Sequence, residues 1–235
     1  MIRRAGIPLL LLLLAAPALA QITGARYLDA TSRYGHDILG TGNGAEWGAL
    51  ELTLKDGRRL KFTLPQSRVF EDLFPRLLDV DGDGDNEAVV IETSTRLGAS
   101  LAIYDESGKI AATPFLGRPQ RWLAPLGAAD LDGDGRIELA FIEKPHLAKI
   151  LRVWRFADGR LTPVASLDDL TNHRIGENFI SGGIRDCGQG PEIITADGNW
   201  RRVMATVLKN GRLRARDLGA FEGRASLAAA LDCRR

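Results

Sequence analysis

The feature that most constrains this fold is a repeat. The turns Lys55-Asp56-Gly57-Arg58, Glu106-Ser107-Gly108-Lys109, Ala157-Asp158-Gly159-Arg160 and Lys209-Asn210-Gly211-Arg212 place glycines at 57, 108, 159 and 211, spacings of 51, 51 and 52 residues. Self-similarity at such a period is the mark of an array of supersecondary units. Asp-Gly and Asn-Gly accept positive φ at tight hairpins, and each turn lies between apolar alternations, such as Leu50, Leu52 and Leu54 before the first and Leu60, Phe62 and Leu64 after it. Upstream of three hairpins lie the short apolar runs Ala88–Ile91, Leu139–Ile142 and Ile193–Thr195, each long enough for a strand and too short for a helix.

One unit therefore holds three or four strands and cannot bury both faces of its own sheet. Neighbouring sheets must stack, around an axis or in a row. The expected fold is all-β, a β-propeller-like array of four antiparallel units at roughly 26–76, 77–126, 127–180 and 181–235, forming one domain over 21–235. Ser67–Leu78 and Ser226–Leu231 carry helical periodicity and are expected as connectors or edge strands. Ala228–Asp232 resembles Leu126–Asp132 and lies at the same distance beyond its hairpin. The chain thus ends as a new unit begins, and the last segment is expected to complete a sheet begun by the N-terminus, closing a ring; an open stack is the alternative.

Arg3 and Arg4, the apolar run Leu9–Ala16 and the small residues around Ala18-Leu19-Ala20 have the form of a signal peptide, residues 1–20, cleaved after Ala20. The apolar stretch 7–20 is 14 residues long, short of the roughly 20 that span a bilayer. The expected product is periplasmic or secreted, with no transmembrane segment after cleavage. At 45% hydrophobic and 26% charged the chain is not a disordered one. Without the leader it carries 29 basic and 30 acidic residues, so no basic excess marks it for nucleic acid.

Cys187 and Cys233 are the two cysteines, and an even count in an exported chain favours a disulfide over two buried thiols. Such a bridge stabilises by ~3–5 kcal/mol. A cysteine metal site lacks Cys-x-x-Cys spacing, and the three histidines, His36, His146 and His173, are scattered along the chain.

The strongest chemical signal is Asp79-Val80-Asp81-Gly82-Asp83-Gly84-Asp85-Asn86-Glu87, repeated as Asp130-Leu131-Asp132-Gly133-Asp134-Gly135-Arg136-Ile137-Glu138. Carboxylates at positions 1, 3 and 5 can turn inward on a tight loop, glycine at 6 permits the bend, and the carbonyl at 7 and acid at 9 complete an oxygen cage. That is chemistry for a hard cation, Ca²⁺ above Mg²⁺. Without a cation the clustered carboxylates repel, so loop folding is expected to couple to metal binding. Helix-loop-helix calcium loops place an acid at position 12; here Val90 and Phe141 stand there as strand residues.

These loops, with Leu77–Glu87 and the stretch Gly127–Gly135 as carriers, resemble the FG-GAP/VCBS repeat family, the calcium-binding blades of integrin-α-like β-propellers. The resemblance implies two Ca²⁺ sites. One would be ligated by Asp79, Asp81, Asp83, the Asp85 carbonyl and Glu87, the other by Asp130, Asp132, Asp134, the Arg136 carbonyl and Glu138. The outer units depart from the pattern. One period before the first loop stand Leu28, Ala30, Ser32 and His36, and in the fourth unit Asp186-Cys187-Gly188-Gln189-Gly190 precedes Glu192, with the cysteine as staple in place of metal. Four units leave a four-bladed ring, a partial propeller and assembly with another chain open.

No catalytic motif is present. Gly40-Thr41-Gly42-Asn43-Gly44 lacks the phosphate-loop lysine and reads as a turn, Ser181-Gly182-Gly183 is not a nucleophile elbow, and none of the histidines is assigned a catalytic role. Trp47, Trp122, Trp154 and Trp200 are expected to pack between units rather than form a sugar platform. The functional expectation is a non-enzymatic, calcium-binding module of the bacterial cell envelope, its loops rigidified by Ca²⁺ to bind a protein or glycan. The alternatives are an envelope polysaccharide-active hydrolase or lyase, and a structural or assembly subunit.

Overall fold

A computed structural model describes residues 21–40 and 46–235; the expected leader, residues 1–20, and the turn at 41–44 lie outside the described residues. The first sheet holds β1 (Ile22–Ala30), β2 (Trp47–Leu54), β3 (Arg59–Thr63), β4 (Arg68–Phe70), β5 (Arg76–Leu78), β6 (Glu87–Ser94), β7 (Gly98–Asp105) and β8 (Gly108–Ala112). The second is a four-stranded sheet of β9 (Leu123–Ala129), β10 (Glu138–Glu143), β11 (Ile150–Ala157) and β12 (Arg160–Leu167). The third holds β13 (Leu170–Thr171), β14 (Gly183–Asp186), β15 (Pro191–Asp197), β16 (Arg202–Lys209) and β17 (Arg212–Ala220), and is followed by one short helix, α1 (Arg224–Leu231). Among the described residues every strand pair is antiparallel, and the architecture is all-β.

Each of the four repeated turns joins two paired strands, β2–β3, β7–β8, β11–β12 and β16–β17. Asp158-Gly159 and Asn210-Gly211 have positive φ at both residues (51° and 69°, 53° and 68°), the backbone of a tight two-residue hairpin. The unit limits at 76/77 and 126/127 run through β5 and β9. These strands lead into the acidic loops and pair with β6 and β10 beyond them.

β6 explains why its sequence is an unbroken apolar run. Val89 and Ile91 join a large core shared with the second and third sheets, while Ala88 and Val90 face a separate core built from Ile22, Leu50, Leu52 and Phe70. A strand buried on both faces has no polar side to alternate with. β7 divides the same way, Leu101 and Ile103 to one side, Ala102 and Tyr104 to the other.

At the end of the chain the expectation of a sheet-completing strand is corrected. Residues 224–231 form α1, whose Leu227 and Ala230 pack on Ile194, Val203 and Ala205 of the third sheet. Leu227-Ala228-Ala229-Ala230-Leu231 lacks period-two alternation and is rich in the best helix former. The segment covers the outer face of the last sheet instead of extending one. Ser67–Leu78 does supply the short strands β4 and β5.

Candidate metal centre

The first acidic loop joins β5 to β6. Asp79 turns back over it, accepting backbone N–H bonds from Gly82 (2.7 Å) and Gly84 (3.0 Å) at its two oxygens. Asp81 accepts from the N–H of Asp83 (3.2 Å) and Asp83 from that of Asp85 (2.8 Å). Gly82 and Gly84 sit at φ 81° and 86°, a conformation a Cβ would strain. Glu87, only 7% exposed at the start of β6, reaches back to accept the Val80 N–H at 3.0 Å. The result brings carboxylate oxygens of Asp79, Asp81 and Glu87 within 4.8 Å of one another.

The second loop, between β9 and β10, repeats this geometry. Asp130 accepts from Gly133 (2.8 Å), Asp134 (3.1 Å) and Gly135 (2.9 Å), and the fully buried Glu138 accepts the Leu131 N–H at 2.9 Å. Asp130, Asp132 and Glu138 converge within the same 4.8 Å. In each loop three of the expected residues meet in this way. Asp83 and Asp134 lie outside these clusters; the Asp85 carboxylate turns to the N–H groups of Ile22 (3.2 Å) and Asn86 (2.8 Å).

The loops differ in their counter-charge. Arg155, directly opposite Glu138 in the β10–β11 register, lays its guanidinium into the second loop: Nε to Glu138 Oε1 at 2.5 Å, Nη2 to Asp132 at 3.1 Å and Nη1 to Asp134 at 3.0 Å. No ion pair of the first loop is found among the described residues. Burial, with Asp81, Asp83 and Asp79 adding repulsion, pushes the Glu87 carboxyl up to about 7, and burial likewise raises Asp81. Burial also raises Glu138, but the bond from Arg155 opposes it. Burial disfavours the Arg155 charge, yet Glu138, Asp134 and Asp132 more than offset that and raise its pKa.

The fourth unit keeps the turn and drops the cage. Asp186 accepts from the N–H of Gly188 (2.7 Å) and Gly190 (3.1 Å), and Glu192, in the place of Glu87 and Glu138, is held by Arg185 and Arg216, both at 2.7 Å. Burial opposes ionisation there, but the two arginines hold Glu192 below its ordinary value. Cys187 is bonded to Cys233 beyond α1, with 5.7 Å between Cα atoms, so the disulfide staples the helix to the loop. Disulfides of this kind belong to oxidising compartments.

The donor set of the first loop fits a hard cation: three clustered carboxylates, each turned by backbone N–H groups and none paired with an arginine or lysine among the described residues. The second offers the same oxygens with a guanidinium among them. Among the other candidates, Trp122 is buried with its indole N–H donated to the Glu71 carbonyl (2.8 Å), and Trp47 and Trp200 pack on Tyr27 and Phe221. Trp154 lines a cleft with Phe115, Phe141, Glu143 and Arg152. The histidines, far apart in sequence, come together at the other end of the strands, a juxtaposition that no local sequence signal announces. No helix among the described residues is long and apolar enough to cross a membrane.

Residues 79–141, the span from the first acidic loop to the strand after the second, match the family described as FG-GAP-like repeat. No curated protein matches the sequence. Among solved structures, the chain is similar to exotype rhamnogalacturonan lyase YesX, with 14% identity and a TM-score of 0.49 over 86% of this chain and 48% of that one. Rhamnogalacturonan lyase YesW is similar at 15% identity and a TM-score of 0.42, over 76% of this chain and 43% of that one. The chain spans less than half the length of either lyase.

Proposed function

We propose that this protein is an exported, calcium-stabilised β-repeat module of the cell envelope that binds a protein or glycan without turning it over, its four units arranged as the blades of a small propeller. The observation that carries the reading is the convergence of Asp79, Asp81 and Glu87 on a loop shaped by backbone N–H bonds, where no ion pair among the described residues offsets the repulsion. Asp79, Asp81 and Glu87 would hold Ca²⁺, with Asp83 and the Asp85 carbonyl completing the shell; the ion would supply rigidity at the root of β6. The second loop would take Ca²⁺ more weakly, since Arg155 already satisfies three of its carboxylates. Gly40 in the loop after β1 lies so close to Gly176 before β14 that a Cβ on it would come within 3.0 Å of the Gly176 carbonyl. This approach of a loop of the first sheet to a loop of the third supports a closed arrangement.

Thermal unfolding of the oxidised protein in EDTA and then in millimolar Ca²⁺ tests the reading, beside Asp81→Ala. A midpoint that rises with Ca²⁺ in the native chain and not in the variant is expected, because a ligand that binds only the folded state stabilises it by mass action. Equal midpoints with and without Ca²⁺ in the native chain would overturn it.

A further inference from the structure

At the end of the strands opposite the acidic loops, segments from all three sheets enclose a pocket of about 210 Å³ that includes His36, Arg121, Lys144, His146, Leu147 and Ile175. All three histidines of the chain meet here, His173 standing behind His146. Their protonation pattern follows from fixed partners. His173 Nε2 lies 2.9 Å from the Glu177 carbonyl, which can only accept, so this nitrogen donates. In the neutral ring Nδ1 then accepts, and His146 Nε2, at 2.8 Å, must be the donor. Burial and the neighbouring His173 and His36 lower the His146 pKa to about 4, so His146 stays neutral. His36 Nδ1 donates to the buried Glu71 at 2.5 Å, and Glu71 also accepts the Thr93 hydroxyl at 2.8 Å. Glu46 is likewise committed, to the N–H groups of Tyr34, Gly35 and His36.

The acids near the pocket are thus engaged, while its cations are in excess. Glu143 alone serves both Lys144 and Arg152, each at 2.7 Å. Arg121 donates to the Gln120 carbonyl (3.0 Å) and makes no ion pair among the described residues. A shallower depression of about 400 Å³ continues from Arg121 and Lys144 to Arg118. On the rim, Leu147 and Ile175 are 62% and 79% exposed, two large aliphatic side chains open to solvent at one site. Cations beside exposed aliphatic faces, with imidazole and amide groups between them, match a ligand that is charged at one edge and has both polar and apolar faces.

We infer that this pocket binds a carboxylate-bearing sugar ring of the uronic acid class, its carboxylate on Arg121 and Lys144, its hydroxyls toward His36, His146 and Gln120, and its apolar face on Leu147 and Ile175. The inference rests on the reading of the protein as a binding module and names its ligand class, but it does not involve the acidic loops. With three histidines in the chain, all at this place, their imidazole NMR signals form a direct reporter. Calcium-replete protein is titrated with glucuronate, with glucose and with sulfate. Glucuronate should shift the His36 and His146 signals saturably, and glucose should not. Arg121→Gln and Lys144→Gln, checked for an unchanged unfolding midpoint, should each weaken binding about tenfold. No shift with glucuronate overturns the proposal, as does binding unchanged in both variants. Sulfate acting as strongly as glucuronate overturns it too, leaving a bare anion site. Failure here with calcium-dependent stability intact strikes this inference alone; histidine shifts intact without a calcium effect strike only the metal reading.

Discussion

The two acidic loops share spacing, turn geometry and place in the repeat, yet they solve the same electrostatic problem differently. Around Glu138 the chain supplies its own cation, Arg155, reaching across from the neighbouring strand. Around Glu87 no such partner stands among the described residues, and repulsion among Asp79, Asp81, Asp83 and Glu87 is left uncompensated. The comparison teaches that a metal-loop motif specifies a set of oxygens, whereas the net charge of the site is set by what a different strand brings to it. Glu192, clasped by Arg185 and Arg216 in a loop without a cage, is the far end of the same series.

The hardest blow to this comparison would come from Arg155→Leu. In the absence of calcium it leaves Glu138 buried without its partner, a loss of ~3–5 kcal/mol measurable by urea denaturation. Added Ca²⁺ should restore much of that, and calcium titration should show binding at the second loop tightened. A variant as stable as the native chain would mean that Arg155 is a bystander.

Next in size are the paired substitutions Glu87→Gln and Glu138→Gln, expected to act with opposite sign in EDTA. The first relieves repulsion and should raise stability by ~1–2 kcal/mol; the second breaks the Arg155 pair and should lower it by at least as much. In Ca²⁺ the order at Glu87 should reverse, because the variant no longer gains from the ion. Same-sign effects in EDTA would erase the distinction between the loops.

Breaking the Cys187–Cys233 bond by Cys187→Ser with Cys233→Ser should cost ~2–4 kcal/mol in calorimetry, by an amount independent of Ca²⁺. A cost that calcium offsets would mean the fourth unit still communicates with a metal loop.

The smallest effect is a control at the opposite end of the strands. His146 has its pKa lowered from 6.5 to about 4, so between those values the unfolded chain binds more protons. Its stabilisation is present above pH 6.5 and is lost as pH falls toward 4, by a few degrees in midpoint. The fall should be alike in native, Glu87→Gln and Glu138→Gln protein held in Ca²⁺, and His146→Asn should flatten it; a fall unchanged in His146→Asn would assign it to other groups.

Much of this was legible in local sequence. Turn dipeptides, apolar runs and the spacing of carboxylates and glycines act over a few residues, so the four hairpins, the all-β class and the N–H-bonded acidic loops follow from them directly. The cysteine pair was legible because two cysteines in one chain allow only one intramolecular bond. Tertiary structure decided the rest. Arg155 enters the second loop only through the register that sets it opposite Glu138, and nothing local distinguishes it from the arginines on solvated strand faces. His36, His146 and His173 meet because turns from separate sheets end at the same place. The alanine-rich terminus becomes a helix over the last sheet because that sheet has an outer face to cover. Each of these depends on which surfaces are left unpaired once the strands have stacked, and that is a property of the assembled chain rather than of any segment within it.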